Sequence, residues 1–483
     1  MSRATAKKAS VSPVDILQAM ADPHLFAPHF RDMDSWKAWR AFLAALFALP
    51  MDSEALATYQ ACTGRAEAPS EPAKEAWIPT GRRGGKSRIL ALIAVYLATF
   101  RDWRPYLAPG EKGYVTVIAA DRRQARTIMN YVRAFLTGTP LLAPLVAKDN
   151  TEDIELTAGV VIEVATCSYR TIRGRTIIAA LCDEIAFWSD DTSANPDTEV
   201  LAALRPAMAT IPGALLLAAS SPYAKRGALW QACKRHFGKD GPVLVWRAPT
   251  RVMNPSLPQS VIDEAYEADP ASAAAEFGAE FRSDVASFLD RQLVENAVDA
   301  DVLVRSPAAG ITYRAFADPS GGASDAFTLG IAHAEGDAAI LDCLYERKPP
   351  FSPVEVVGEV AALLRSYGLT SATGDRYAAQ WVVDAFARAN VTYTHSERDR
   401  SAIYADCLPL FTSGRARLID NPRLVGQFAG LERRTTTGGR DRIDHAPGAH
   451  DDLSNAAAGA LTLAVKASTA KPTRAVFIDF MSR

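Results

Sequence analysis

Nowhere in these 483 residues does an apolar run approach the roughly 20 residues that a membrane-spanning helix needs. The basic opening, MSRATAKKASVSPVDILQAM, lacks the apolar stretch of a secretory signal, so a cytosolic protein with no membrane partner is expected. Cysteine is sparse: Cys62, Cys167, Cys182, Cys233, Cys343 and Cys407 form no CxxC pair and no nearby Cys/His set. That argues against a zinc site or a disulfide framework and fits a reducing compartment. An excess of charge of one sign is missing too. Lys and Arg number 53 against 55 Asp and Glu, a net charge of −2, so any nucleic-acid binding must come from local basic patches. What remains is ordinary for a soluble protein with full-sized cores, 48% hydrophobic and 22% charged, and the length calls for two or three domains.

The organising stretch is WIPTGRRGGKSRILALIAVYLATF, Trp77 to Phe100. A short apolar run turns through a Gly- and Arg-rich loop into a helical segment, with Lys86 and Ser87 at the junction. In a phosphate-binding loop, backbone N–H groups and the helix N-terminus face the anion, Lys reaches the outer phosphates and Ser holds Mg²⁺. Gly85, Lys86 and Ser87 fit GxxxxGK[ST], but Thr80 stands at the first glycine position and Gly81 comes one residue later. The bland alternative is a Gly-rich turn before an amphipathic helix, with Arg82, Arg83 and Arg88 solvated.

Before the loop, residues 1–15 read as frayed. Val14 to Leu49 then carries Phe30, Trp36, Trp39, Phe42, Leu43, Leu46 and Phe47 at helical spacing. This is a helical cap on the core or, more sharply, part of an adenine pocket to which Tyr59, Gln60 and Arg65 contribute. After the loop helix, a strand, a polar turn at Asp121–Gln124 and a second helix point to a parallel sheet with crossover helices. IELTAGVVIEVATCSYRTIRGRT reads as a hairpin and an Arg-rich loop. Its Arg170, Arg173 and Arg175 contact phosphates of ATP or DNA, or are solvated.

Next comes TIIAALCDEIAFW. The run Ile177 to Cys182 is apolar throughout, as a strand buried on both faces must be, and it ends in Asp183-Glu184. Two carboxylates there have no structural use that offsets their desolvation. With a phosphate loop upstream they form a Walker B pair: Asp183 holds Mg²⁺ and Glu184 orients and deprotonates the attacking water. A further strand, GALLLAASSPYAKRG, ends at Ser220-Ser221. This small polar pair either senses the γ-phosphate or is simply a strand-end turn.

Composition shifts near Ser287. Three antiparallel strands follow, with Asp318 closing the first, and then alternating helices and strands in which Asp375 lies near a strand end. RARLID reads as one more strand, ERRTTTGGRDRIDH as a basic hairpin or loop, and a last helix opens at His450-Asp451-Asp452. That order is the RNase H-like layout. Phosphodiester hydrolysis on it needs two Mg²⁺ or Mn²⁺ ions held by converging carboxylates. Asp318, Asp375 and Asp451 or Asp452 are the candidates. Neighbours on a helix point about 100° apart, so both of the last pair need not bind. Asp452 is slightly favoured, with Asp451 or His450 nearby, and Asp325 reads as a cap on the second strand.

The ordered set GRRGGKS, ADRRQA, SYRTIRGRT, LCDEIAFW and SSPYAKRG, followed by AFADPSGG, TGDRY and HDDLSNA, resembles the large terminase subunit of tailed double-stranded DNA bacteriophages. The likeness runs from about Asp34 to Val465. It implies an α/β protein: a helical segment over 1–50, a P-loop ATPase over 51–287 on a mainly parallel sheet, a linker at 288–305 and an RNase H-like nuclease over 306–483. By resemblance, Thr80, Gly81, Arg82, Arg83, Gly84, Gly85, Lys86, Ser87 and Asp183 bind ATP, with Ser87 and Asp183 on Mg²⁺. Glu184 and an Arg of the loop, Arg82 or Arg83, are catalytic, and Ser220 and Ser221 couple hydrolysis to movement. Asp318, Asp375 and Asp451/Asp452 fall on the nuclease acids. The implied partners are double-stranded DNA, the portal of a procapsid and a small terminase subunit. The implied assembly is a ring on the portal, with a monomer in solution as the alternative, in the host bacterial cytoplasm. The rival reading is a non-viral DNA translocase or helicase-like ATPase fused to the same nuclease fold. A scaffolding component with degenerate sites is disfavoured, because Lys86 and the acids are all present.

Overall fold

The apolar run that ends at Asp183 lies in the middle of an eight-stranded sheet. The computed structural model describes residues 14–166, 174–188, 196–322, 325–375, 380–435, 441–447 and 449–469. They belong to two compact units, one reaching Ser283 and the other starting at Asp284.

In the first unit the strands are β1 (Glu75–Pro79), β2 (Gly113–Ala119), β3 (Val146–Asp149), β4 (Asp153–Leu156), β5 (Val160–Thr166), β6 (Thr176–Asp183), β7 (Leu215–Ser220) and β8 (Val243–Val245). Their order is β3-β4-β5-β2-β6-β7-β1-β8. The pairs from β5 to β8 are parallel, and only β3 and β4 run against their neighbours. The hairpin expected over 153–166 is β4–β5. Every residue of β6 after Thr176 is buried, as a strand covered on both faces requires. Parallel pairing places the C-terminal ends of β1, β6 and β7 side by side, and open α/β sheets bind ligands at that edge.

The helix after β1, Lys86–Phe100, is buried nearly all round because the segment 14–49 covers its other side. Trp39 and Phe42 of the helix Lys37–Phe47 pack edge to face and join the core of the sheet itself. The N-terminal segment is therefore part of this unit's core. A side-chain bond from Asp121 to the N–H groups of Arg123 and Gln124 starts the next helix, Arg122–Thr137.

The second unit has β9 (Val285–Ser287), β10 (Tyr313–Asp318), β11 (Phe327–Glu335), β12 (Ala338–Arg347), β13 (Ser371–Gly374), β14 (Thr392–His395), β15 (Ala416–Arg417), β16 (Leu431–Thr435) and β17 (Asp441–His445). Six of them form a sheet in the order β14-β13-β10-β11-β12-β15, and β17-β16-β9 form another. The antiparallel β10–β12 flanked by parallel β13 and β14 is the RNase H-like arrangement. RARLID supplies only the two-residue β15, and the basic hairpin is β16–β17. The closing helix, Asp452–Thr469, lies directly on the sheet. A Cβ at Gly459 would stand 2.2 Å from the Phe316 ring, and one at Gly330 would stand 2.5 Å from the Ala456 carbonyl oxygen. Only glycine permits so close an approach.

Residues 288–305, expected to be a linker, do not behave as one. Leu289, Val294 and Ala297 are buried in the second unit's core, and just before them β9 already pairs with β16. The apolar residues here sit too sparsely among charges for their burial to stand out in the sequence.

Two candidate active sites

The first site is built where β1, β6 and β7 end. Lys86 is 6% exposed; its ammonium donates to the Thr80 carbonyl at 3.0 Å and to Ser221 Oγ at 3.1 Å, and it forms an ion pair with Glu184 Oε1 at 3.3 Å. The other Glu184 oxygen accepts from Ser220 Oγ at 3.1 Å and from the Ser221 N–H at 3.0 Å. Ser220 Oγ in turn accepts from the Ala186 N–H. Glu184 holds a left-handed backbone, φ 50°, which re-aims its side chain after the strand. The two serines thus tie the glutamate of one strand end to the end of the next.

Asp183 is buried, and its Oδ1 has no hydrogen-bond partner among the described residues. Burial pushes its carboxyl up, the neighbouring Glu184 adds to this, and Lys86 opposes it. A buried carboxylate oxygen without a donor is costly unless a cation meets it, so the donor set fits a divalent metal. Ser87, the other candidate ligand, stands half-buried in the first turn of the helix.

The displaced glycine of the loop has a local cause. A Cβ at Gly81 would lie 2.2 Å from Thr250 Oγ1, so glycine is required there, whereas Thr80 bridges β7 through its N–H to the Ser220 carbonyl. Gly84 faces Thr80, and Gly85 adopts φ 93° against Trp36 and Trp39. Arg83 is exposed with φ 65°. Thr250 Oγ1 donates to the Arg82 carbonyl at 2.8 Å and Asn254 Nδ2 to the Arg83 carbonyl at 2.9 Å. Trp39 Nε1 donates to the Gly84 carbonyl at 2.7 Å. With its carbonyls held from outside, the loop is braced by Trp39, Thr250 and Asn254. The Arg82–Glu276 ion pair is too exposed to add much.

The adenine-pocket expectation fares differently. Tyr59 is fully buried beside Trp246, and Arg65 is spent on the Val243 carbonyl, so neither presents an edge to a base. Gln60 is bonded to the Ala66 carbonyl. Arg88 faces the rings of Tyr131, Trp36 and Phe30 and is not simply solvated. Arg175 pairs with Glu163 and faces Tyr114. Arg170 and Arg173 lie outside the described residues, as does Cys167.

The second site lies in the other unit. The parallel register of β10 and β13 pairs Phe316 with Thr373 and Ala317 with Gly374, so Asp318 and Asp375 follow at adjacent strand ends. The closing helix brings its first turn to the same edge: Thr328 Oγ1 donates to the Asp452 carbonyl and Asn455 Nδ2 to Asp318 Oδ2, both at 2.8 Å. Burial raises the Asp318 carboxyl to about 7, and Asp375, Asp452 and Asp451 push it the same way. Asp452 is raised to about 6 by burial and by Asp451. Carboxylates that repel one another in a half-buried cluster suit divalent cations.

Asp451 stands apart from this set. Arg400 grips both its oxygens at 2.9 and 3.2 Å, and Tyr404 donates to it at 3.1 Å. Asp444 and His445 lie beside the same group, and the Arg400 guanidinium reaches both acids. His450 is 4.0 Å from Asp452.

Solved structures of bacteriophage large terminases match the chain at modest TM-scores. The large terminase of bacteriophage HK97 matches with a TM-score of 0.35 and 17% identity over 82% of this chain and 91% of that one. The large terminase of a thermophilic bacteriophage gives 0.38 and 10% over 89% and 98%. The large terminase nuclease of another thermophilic phage, G20c, gives 0.32 and 14% over 36% and 95%. No protein-family model and no curated protein matches the sequence.

Several residues at the sites escaped the sequence reading. Thr250, Asn254 and Trp39 act through backbone carbonyls, for which sequence spacing gives no sign. Asn455 was accessible in principle, because three residues after Asp452 on a helix is the same face. No helix among the described residues is long and apolar enough to cross a membrane.

Proposed function

We propose that the chain is a viral large terminase subunit: an ATP-driven motor that moves double-stranded DNA into a procapsid, joined to an endonuclease that cuts concatemeric DNA. What carries this reading is a buried lysine at a phosphate-type loop, 3.3 Å from a glutamate at the tip of a buried strand, in a chain that also gathers Asp318, Asp375 and Asp452. Lys86 and the loop N–H groups bind the outer phosphates, and Glu184 takes the proton of the attacking water. Ser220 and Ser221 carry a change at Glu184 into β7. Arg83, exposed on the loop, is the candidate for stabilising charge on the γ-phosphate. Ser87 and Asp183 would hold Mg²⁺, which neutralises charge developing on the phosphates.

In the nuclease half, Asp318, Asp375 and Asp452 would hold two Mg²⁺ or Mn²⁺ ions that stabilise the attacking and leaving oxygens of a phosphodiester. The partners of this reading are DNA, a portal, a small terminase subunit and further copies in a ring, acting in the host bacterial cytoplasm.

The purified chain should hydrolyse ATP faster with procapsids or portal and DNA, and should nick plasmid with Mn²⁺. Asp318→Asn should remove nicking and spare ATP turnover, and Lys86→Ala should do the opposite. Strand separation of a forked duplex with no capsid component would instead indicate a helicase-like translocase.

A further inference from the structure

We propose that Asn455 is a positioning residue of the carboxylate site: its amide N–H fixes Asp318, and its carbonyl oxygen serves a hydrated divalent cation. The inference rests on the nuclease reading above.

Asn455 is 1% exposed. Its Nδ2 donates to Asp318 Oδ2 at 2.8 Å, which leaves Oδ1 as the oxygen of Asp318 for a cation. Its own Oδ1 is buried and has no hydrogen-bond partner among the described residues. An amide oxygen left in that state keeps its full desolvation penalty, which an apolar side chain would avoid. A polar group kept there against that cost points to a donor or cation that meets it. The helix places it correctly, because Asn455 and Asp452 are three residues apart and share a face. The backbone N–H of Asn455 donates to the Asp451 carbonyl at 2.8 Å, so the anchoring of Asp451 by Arg400 also fixes Asn455.

The residue type follows from charge. Asp318 already feels Asp375, Asp452 and Asp451. A further carboxylate would raise the repulsion, whereas an amide contributes a hard oxygen with no charge and a donor that favours ionised Asp318. Ca²⁺, and Mg²⁺ through its retained waters, accept such neutral oxygens.

The test measures Mn²⁺ binding to the full chain by electron paramagnetic resonance without DNA, alongside plasmid nicking and thermal unfolding in chelator. Asn455→Ala should weaken Mn²⁺ binding about tenfold or more and raise the Mn²⁺ needed for half-maximal nicking by the same factor. Nicking at saturating Mn²⁺ should fall by a smaller factor than the binding does, and unfolding in chelator should remain cooperative. A variant that binds Mn²⁺ like wild type, or that loses nicking with no change in Mn²⁺ requirement, overturns the inference. If Asn455→Ala does not fold, Asn455→Asp of equal size carries the test. Its Mn²⁺ affinity should fall more steeply than wild type as pH drops from 8 to 6, because one more carboxyl must ionise, and a wild-type pH dependence overturns the inference. A wild-type chain that neither binds Mn²⁺ nor nicks rejects the nuclease reading as well, which separates the two failures.

Discussion

Lys86 and Glu184 form an ion pair across the ends of two elements, Nζ to Oε1 at 3.3 Å, with the lysine 6% and the glutamate 22% exposed. Glu184 is also held by Ser220 and the Ser221 N–H, so its carboxylate stays in place if the lysine moves to a phosphate. The two groups can therefore be separated by mutation. Glu184→Gln keeps both hydrogen bonds from the serine pair and removes the base. ATP turnover should fall about 10²–10⁴-fold while a fluorescent nucleotide still binds. Lys86→Ala should lose binding itself. Glu184→Gln turnover within tenfold of wild type would remove Glu184 from the base role.

At the other site the two adjacent aspartates should part company. Asp452→Asn takes one carboxylate from the cluster and should abolish Mn²⁺-dependent nicking, with a metal-free stability equal to or above wild type because repulsion is relieved. Asp451→Asn removes the partner that Arg400 grips with both oxygens. The loss should be about 1–3 kcal/mol, below the 3–5 kcal/mol of a fully enclosed pair, because Arg400 is 35% exposed. Urea unfolding and nicking assays on both variants check this. A stable, inactive Asp451→Asn beside a destabilised, active Asp452→Asn would exchange the two roles.

How far the sequence could be read depended on how local the cause was. Strand β6 and its terminal Asp183-Glu184 were legible because burial on both faces demands an unbroken apolar run, and carboxylates after it have no other use. The order of β10–β12, Asp318 and Asp375 was legible from turns and alternation. Thr250 and Asn254 were not, because they act on the Arg82 and Arg83 carbonyls from some 170 positions away. Tyr59 and Arg65, left open between a base contact and the core, were ambiguous for the opposite reason. Polar tips suggested a ligand, yet Arg65 ends on the Val243 carbonyl and Tyr59 fills the core beside Trp246. The unit boundary was not legible because Leu289 and Val294 reach a core most of whose other members come from residues more than a hundred positions later.

The raised acids give the second unit a definite pH dependence. Unfolded aspartates titrate near 3.9, whereas Asp318 is raised to about 7, first by burial, and Asp452 to about 6. Between about pH 4 and 7 the folded state therefore binds more protons than the unfolded one, so metal-free stability falls as pH rises through that window and levels off above it. In chelator the melting temperature should be higher at pH 5.5 than at pH 8, by about 2–4 °C for each kcal/mol involved. Mn²⁺ should restore it at pH 8 and release protons on binding at pH 6.5. Asp318→Asn should reduce the difference. A melting temperature that rises from pH 5.5 to 8 in chelator would contradict the cluster.

The extent of the second unit predicts which fragment stands alone. A chain from Asp284 onward keeps β9 on the edge of β16, and it keeps Leu289, Val294 and Ala297 in the core. A chain from Val298 onward lacks all of these. Burying Leu or Val contributes about 1.5–3 kcal/mol each, so the shorter fragment should lose about 3–6 kcal/mol from those two side chains alone. It should also expose Glu432, which is buried in β16 with Arg434 as its partner. Expressed separately, the fragment 284–483 should unfold cooperatively in urea and nick plasmid with Mn²⁺, and 298–483 should be aggregated or unfolded. Equal midpoints for the two would mean that the segment from Asp284 to Ala297 contributes nothing to the fold it is packed in.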